Sequence, residues 1–502
     1  VNKKLLATAG FSVVALMALA GCGGSQPASQ KSDLVVGVTY VGDGLNNPFY
    51  YGNLIFVQSQ AVYEPLVMEN ESGQFDPWLA KEFELSDDRL TLSLTLRDDV
   101  DFTDGEHLTA PGVEAYMKKL FATETALGYV WAQGMTITAT GEYDLELTVS
   151  KPIDYSWMNG LYNVPIATPA SAEDPEMLAT AAVGTGPYVL DEVVTDVSAS
   201  YVKNDAYWNA DAYPYETVTF KAYSDSVASL NALKTGQIDA AQIDSGTAGE
   251  AESAGLAVHR GGGLYNTLVI TDRTGEMVPA LGDLRVRQAI SLAIDREGIA
   301  EAIERGYGEP EANQLFTEGQ IGYRDDAAAP VFDVERAREL MAEAGYADGF
   351  EVTIPTTGDL SNPQYTNVYE AIIQQSLADI GITVTYERLE LGALFDAWNA
   401  ASYPMVLMQM FFINTLSVLQ DFSFFGRSLD GVERSLVDTY LNGAVEDSTA
   451  AAAELGQRLV EDEVMFVPFS KPAVLWATNA DVTMKVGDVV GLPRLLWFDL
   501  AD

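Results

Sequence analysis

The chain has 502 residues and carries 73 Asp and Glu against 28 Lys and Arg, a formal net charge of −45. That field repels nucleic acid and anionic membrane surfaces, so neither is expected as a charge-recognised partner. The single cysteine excludes an internal disulfide, two dispersed histidines (His107 and His259) exclude a histidine cage for a metal, and 48% hydrophobic residues over this length require at least two cores.

Lys3 and Lys4 precede an apolar run from Leu5 to Ala20, and Leu19, Ala20, Gly21 and Cys22 follow in the order of a cleaved lipoprotein export signal over 1–21. Small residues beside the scissile bond admit the peptidase, and the Cys22 thiol accepts the lipid, so Cys22 is expected to be the membrane anchor. This places the body on the extracellular face of the cell membrane, or in the periplasmic space of a cell with an outer membrane. Residues 22–33 are Gly, Ser, Gln and Pro-rich and read as a flexible tether with a reach of order 20 Å. No later run reaches about 18 uninterrupted apolar residues.

The body opens with a β-branched strand over 34–41, and Leu90 to Leu96 alternates as a half-exposed strand does. Thr109 and Pro111 start a helix that continues through Tyr116, Met117 and Leu120. Thr136–Thr140 and Glu142–Val149 form a hairpin about Gly141. From there strands and helices alternate: strand 218–222, helix 226–233, a stop at Gly236, and a strand at Ile238. Phe350 with VTIP, a helix over 368–379 and ITVTYE make one βαβ unit, which implies a parallel pair. Further helices are expected over 286–294, 334–344 and 449–461. The alternation predicts an α/β fold of two lobes with an early, mainly β insertion.

Four segments carry a resemblance: AVYEPLVMENESGQFDPWLAKEFELSDDRLTLSLTLRDDVDFTDGEHLTAPGV from Ala61, VGTGPYVL from Val183 with VKNDAYW from Val202, LKTGQIDAA from Leu233, and LRVRQAISLAIDREGIAEAIERGYGEP from Leu284. In this order they resemble the family 5 extracellular solute-binding proteins, which include dipeptide-, oligopeptide- and nickel-binding members. Physical reading gives the motif residues structural roles. Gly184 and Gly186 permit unusual backbone angles, and Arg285, Arg287 and Asp295 pair along a helix's polar face. Asp98, Asp99, Asp101 and Asp104 have only a superficial likeness to a calcium loop and fit a hairpin turn.

The resemblance implies a two-lobe periplasmic-binding-protein-like clamp of type II, cluster C, with an extra inserted subdomain. Laid on this chain, 34–60, 183–265 and 474–502 form lobe I, 61–182 its inserted subdomain, and 266–473 lobe II. Crossing strands near Gly263–Asn266 and near Val474 are the hinge, and the Gly261-Gly262-Gly263 run suits it. The implied function is that of a monomeric binding lipoprotein of an ABC importer. It captures a peptide or peptide-like ligand and delivers it to permease and ATPase subunits, with no cofactor, metal or chemistry of its own. Candidate ligand-binding residues are Tyr40, Tyr265, Asn266, Trp398, Gln409, Met410, Phe411, Phe412 and Asn414. The chain departs from the peptide-binding members in one respect. Where they carry an aspartate for the peptide ammonium, PMVLMQMFFINTLSVLQDF holds Ile413 or Asn414, with no acid until Asp421. A glycan or metal-chelate ligand is therefore the alternative. A secreted hydrolase is the rival class, without a G-x-S-x-G, H-E-x-x-H or phosphate-loop motif to support it.

Overall fold

The computed structural model describes residues 32–41, 56–70, 74–122, 134–150, 153, 155–173, 182–262, 264–310, 314–316, 321–328, 330–356, 363–389, 393–394, 396–397, 400–411, 429–443, 445–487 and 493–501. The expected export signal, Cys22 and most of the tether lie outside the described residues.

The body starts with β1 (Asp33–Val38), where Leu34 and Val36 are buried. A short pair follows, β2 (Val67–Glu69) with β3 (Phe75–Pro77), then β4 (Ala80–Leu85), β5 (Thr91–Leu96), β6 (Thr136–Ala139) and β7 (Asp144–Thr148). The last four form one antiparallel sheet in the order β4-β5-β7-β6. β5 turns Leu92, Leu94 and Leu96 inward, and β6 with β7 is the expected hairpin. Helix α1 (Ala110–Phe121) packs on it, capped by Thr109 and opened by Pro111, with Val113, Tyr116, Met117 and Leu120 on its buried stripe.

β8 (Tyr188–Val194), β9 (Ser198–Lys203), β10 (Thr217–Ala222), α2 (Ser226–Lys234), β11 (Ala240–Ile243) and β12 (Ala257–Gly261) come next. Gly236 ends α2 at φ +70, as its position between helix and strand requires. Then follow β13 (Leu264–Ile270), α3 (Leu284–Leu292), α4 (Arg296–Ile299), α5 (Val334–Glu343), β14 (Phe350–Thr356), α6 (Pro363–Ala378), β15 (Ile382–Arg388) and β16 (Met405–Phe411). α7 (Gly431–Asn442), α8 (Val445–Gln457), β17 (Phe466–Ser470), β18 (Val474–Thr478), β19 (Val482–Met484) and β20 (Phe498–Leu500) complete the described chain.

These strands build two principal sheets. One has seven strands in the order β12-β18-β11-β1-β10-β9-β8; the other has three, β16-β13-β17, beside the parallel β14–β15 pair of the βαβ unit. A single buried cluster joins β1, the β4–β7 sheet, α1, β9 and β10 to Trp476 and Phe498 near the C-terminal end of the described chain. The three-stranded sheet is covered on both faces. Leu268 and Ile270 pack with α3, α5 and α6, while Tyr265 and Val269 pack with α7 and α8. The result is a two-lobe α/β fold.

The motif residues acquire physical reasons here, and two sequence expectations are corrected. Gly184 and Gly186 do not adopt left-handed angles; they are glycines because Val62 passes against them. A Cβ on Gly184 falls 2.0 Å from the Val62 carbonyl oxygen, and one on Gly186 falls 2.6 Å from the Val62 carbonyl carbon. Nor do Arg285, Arg287 and Asp295 pair along one polar face. Arg285 pairs with Asp283 at 2.5 Å, and Asp295 caps α4 through Gly298 N. Arg287 is buried between two backbone segments whose carbonyls need donors: it gives hydrogen bonds to Glu463 O (2.8 Å), before β17, and to Leu281 O (2.9 Å), before α3. Arg296 does the same for Pro468 O (2.8 Å) and Ser291 O (3.0 Å), stapling the motif to β17.

Candidate functional site

β1 lies between β10 and β11, both parallel to it, and the chain passes from one to the other through α2. The carboxyl end of β1 is therefore the point at which the strand order switches, where open α/β sheets present a crevice. Tyr40 stands there, 41% exposed, with its carbonyl held by Gln58 Nε2 at 2.8 Å. Tyr223 N donates to Val38 O at 2.9 Å, which brings the end of β10 to the same edge. Ser245 follows the end of β11.

Two short segments connect the seven-stranded to the three-stranded sheet: 262–263 between β12 and β13, and 471–473 between β17 and β18. Gly261 pairs with Val474, so the two crossings run side by side. Gly262 N donates to Gly487 O at 2.8 Å, and Gly263 lies outside the described residues.

Immediately past the first crossing, β13 pairs Leu264 with Phe411, Tyr265 with Met410 and Asn266 with Gln409. Residues that sequence reading selected from two segments far apart in the chain are thus neighbours on adjacent strands. Tyr265 and Asn266 point to opposite faces, as consecutive strand residues do. Tyr265 is fully buried in the cluster with Val269, Met408 and Phe466. Asn266, also buried, donates through Nδ2 to Ser470 Oγ at 3.0 Å. Trp398, Phe412 and Asn414 lie outside the described residues.

Asn266 begins a hydrogen-bonded chain that was not legible beforehand. Ser470 Oγ contacts Tyr369 OH at 3.3 Å, Tyr369 donates a short bond to Glu304 Oε1, and Ser245 Oγ donates to Glu304 Oε2 at 3.3 Å. Glu304 is fully buried, and that burial raises its carboxyl above the ordinary range against the opposing pull of the hydroxyl donors. The chain runs from the three-stranded sheet to the loop after β11, bridging the two sheets where they are covalently joined. Neighbouring contacts reinforce it: Arg305 donates to Gly246 O (3.2 Å), Arg260 pairs with Glu309 (2.7 Å), and Glu309 exchanges backbone bonds with Lys471. Gly308 lies directly on Glu304, where a Cβ would fall 2.6 Å from its Cγ. The sequence signal was limited to Glu304, Arg305, Gly308 and Glu309 lying in the 284–310 motif and to Asn266 as a candidate wall residue.

The other polar residues that the sequence singled out have partners of their own. Asp99 pairs with Arg97 and Asp101 with His107, while Asp104 accepts from Glu106 N within its own turn. His259 bonds Thr478 Oγ1, and burial lowers its affinity for a proton. Among the described residues no group of three or more His, Cys, Asp or Glu is arranged to hold a metal ion.

Comparison with known proteins fits this geometry. Heme-binding protein A of Haemophilus influenzae is 27% identical over 439 residues, covering 76% of this chain and 77% of that protein. The dipeptide-binding protein DppE of Bacillus subtilis is 21% identical over 497 residues, covering 90% and 89%. Among solved structures, NikA from Brucella suis in complex with Fe(III)-EDTA superposes with a TM-score of 0.81 at 20% identity, over 93% of this chain and 99% of that one. DppA from Helicobacter pylori in complex with the peptide STSA gives 0.76 at 21% identity, over 94% and 99%. A family model described as bacterial extracellular solute-binding proteins, family 5 middle, matches residues 74–427, and the chain belongs to that family.

Proposed function

We propose that this chain is the lipid-anchored binding component of an ABC importer, holding a peptide or peptide-like ligand between two lobes for delivery to a membrane permease. Lobe I comprises 34–60, 183–265 and 474–502, with 61–182 as its inserted subdomain, and lobe II comprises 266–473. Segments 262–263 and 471–473 are the hinge. The observation that carries the reading is the pair of adjacent crossings between two sheets, with an exposed Tyr40 at the strand-order switch beside them. Asn266, Trp398, Gln409, Met410, Phe411, Phe412 and Asn414 complete the ligand wall in this reading, while Tyr265, expected there from sequence, packs in the core on the opposite face of its strand. The Leu-Ala-Gly-Cys sequence at 19–22 supports anchoring through Cys22. Closure draws on the ligand's higher affinity for the closed state, since equal affinity shifts no population.

A second reading, a metal-chelate or glycan ligand, is favoured by the acid-free stretch 404–420, which offers no carboxylate to a buried ammonium. The names of the relatives span both classes, with heme, nickel, dipeptides and glutathione among their ligands. Native mass spectrometry of residues 34–502 before and after denaturation separates them. A ladder of peptide masses released only on unfolding supports the first reading, and a single non-peptide mass supports the second. An empty protein that also shows no thermal shift with peptides, glycans or metal chelates overturns both.

A further inference from the structure

The turn between β4 and β5 is wired into a rigid arm. Ser86 N donates to Thr91 O (2.9 Å), Arg89 N to Ser86 O (2.8 Å), Leu90 N to Asp88 Oδ1 (3.1 Å) and Thr91 N to Ser86 Oγ (3.0 Å). Arg89 sits in this turn at φ +58, a conformation that a non-glycine residue adopts only when its surroundings hold it there. Ile153 N, donating to Arg89 O at 2.8 Å, helps to do so.

The side chain of Arg89 leaves its own core. Its Nη2 donates to Gly443 O at 2.9 Å, 354 residues away, at the carboxyl end of α7. α7 packs through Leu436, Val437 and Tyr440 in the cluster that covers the three-stranded sheet, whereas the β5 leucines belong to the cluster of the seven-stranded sheet. The last turn of α7 contains no Lys or Arg. A helix carboxyl end gathers unsatisfied carbonyls and partial negative charge, which a cation relieves. Here the opposite lobe supplies that cation. Gly443 O also accepts from Ser448 Oγ (3.2 Å), which orients the carbonyl. Unlike the Glu304 group, this contact shares no residue with either crossing.

We infer that the β4–β5 turn is a closure latch: Arg89 of the inserted subdomain docks on the carboxyl end of α7 when the lobes approach, and holds the clamp shut. The inference rests on the clamp reading above. In a chain with so large an acid excess, approach of the lobes brings like charges together, and a cation placed across the gap offsets part of that repulsion.

Single-molecule energy transfer tests it on the full chain carrying Cys22→Ala, with dyes on Glu82→Cys (β4) and Gln457→Cys (α8), both exposed positions. Arg89→Ala is expected to raise the low-transfer, open population several-fold. Arg89→Lys is expected to fall between, since an ammonium still donates to the Gly443 carbonyl. Adding sodium chloride to the parent is expected to raise the open population relative to Arg89→Ala, because salt screens a charge at a helix end. If both populations are present but unmoved by either substitution or by salt, the latch is overturned and the clamp stands. A single, non-interconverting population in the parent, as purified and after ligand removal by unfolding and refolding, overturns both.

Discussion

Tyr207 donates a 2.6 Å hydrogen bond to Glu64 Oε1, 143 residues earlier in the chain, and so ties the VKNDAYW segment to the AVYEPL segment. Trp78 Nε1 reaches the same oxygen at 2.7 Å, and Trp208 Nε1 reaches Oε2 at 3.2 Å. Burial raises the Glu64 carboxyl from 4.5 to about 7, outweighing these donors. A folded value above the unfolded one means that the group's contribution to stability is complete below about pH 4.5 and is lost as pH rises through about 7. Glu64→Gln removes this titration. The stability difference between variant and parent, from urea unfolding, should move toward the variant by about 3 kcal/mol between pH 4.5 and 8. A flat difference would mean that folding leaves the proton affinity of Glu64 unchanged.

The same corner of the fold explains the glycines that follow it. Gly184→Ala sets a methyl against the Val62 backbone, which cannot rotate away as a side chain could. A loss of about 3 kcal/mol or more is expected, read as a lowered urea midpoint with an unchanged slope. Gly236→Ala serves as the contrast: its φ is +70 but its surroundings are open, so a cost of about 1 kcal/mol is expected. Equal effects would refute the distinction between crowding and backbone angle.

Much of this architecture was legible because it is local. Alternation announced β5, Thr109 with Pro111 announced α1, and VTIP with ITVTYE announced the parallel pair β14–β15. The hidden part depends on long-range partners. Nothing near Arg287 in sequence says that Glu463 O awaits it, and nothing near Glu304 names Ser245 or Tyr369. Polar residues on a short helix look alike until the element packed on them is known, which is why Arg287 reads as a surface residue and is buried. The candidate wall was half legible. Register brings 264–266 against 409–411, but only the fold reveals that Tyr265 and Asn266 face opposite ways.

Arg296 offers a direct test of the stapling role. Its guanidinium satisfies carbonyls of Pro468, Ser291 and Ile294 in a buried setting. Arg296→Met fills similar volume and donates nothing, so buried carbonyls lose their partners. About 3 kcal/mol of stability should be lost. Arg285→Met, at an exposed ion pair with Asp283, should cost less than about 1 kcal/mol. Comparable losses at the two positions would remove the argument that burial separates the motif's arginines.

Anchoring and binding make separable predictions. If Cys22 carries the lipid, Cys22→Ala should abolish metabolic labelling of the chain by a radiolabelled fatty acid. Labelling that persists in the variant would exclude lipidation at Cys22.

Tyr40 and Tyr265 distinguish a ligand wall from a core. Tyr40 is 41% exposed at the end of β1, and its structural bond runs through its carbonyl, which Tyr40→Ala keeps. The ring can therefore be removed with little cost to the fold. If it packs on the ligand, its loss should weaken binding of the ligand identified by native mass spectrometry by roughly thirtyfold, the effect of removing an aromatic anchor worth about 2 kcal/mol. Tyr265→Ala instead empties a fully buried site among Val269, Met408 and Phe466, and about 3–5 kcal/mol of stability should be lost. Titration calorimetry and urea unfolding on both variants settle the two roles together. Unchanged affinity in Tyr40→Ala would move the ligand wall away from the strand-order switch, and a fully stable Tyr265→Ala that fails to bind would return Tyr265 to the cleft.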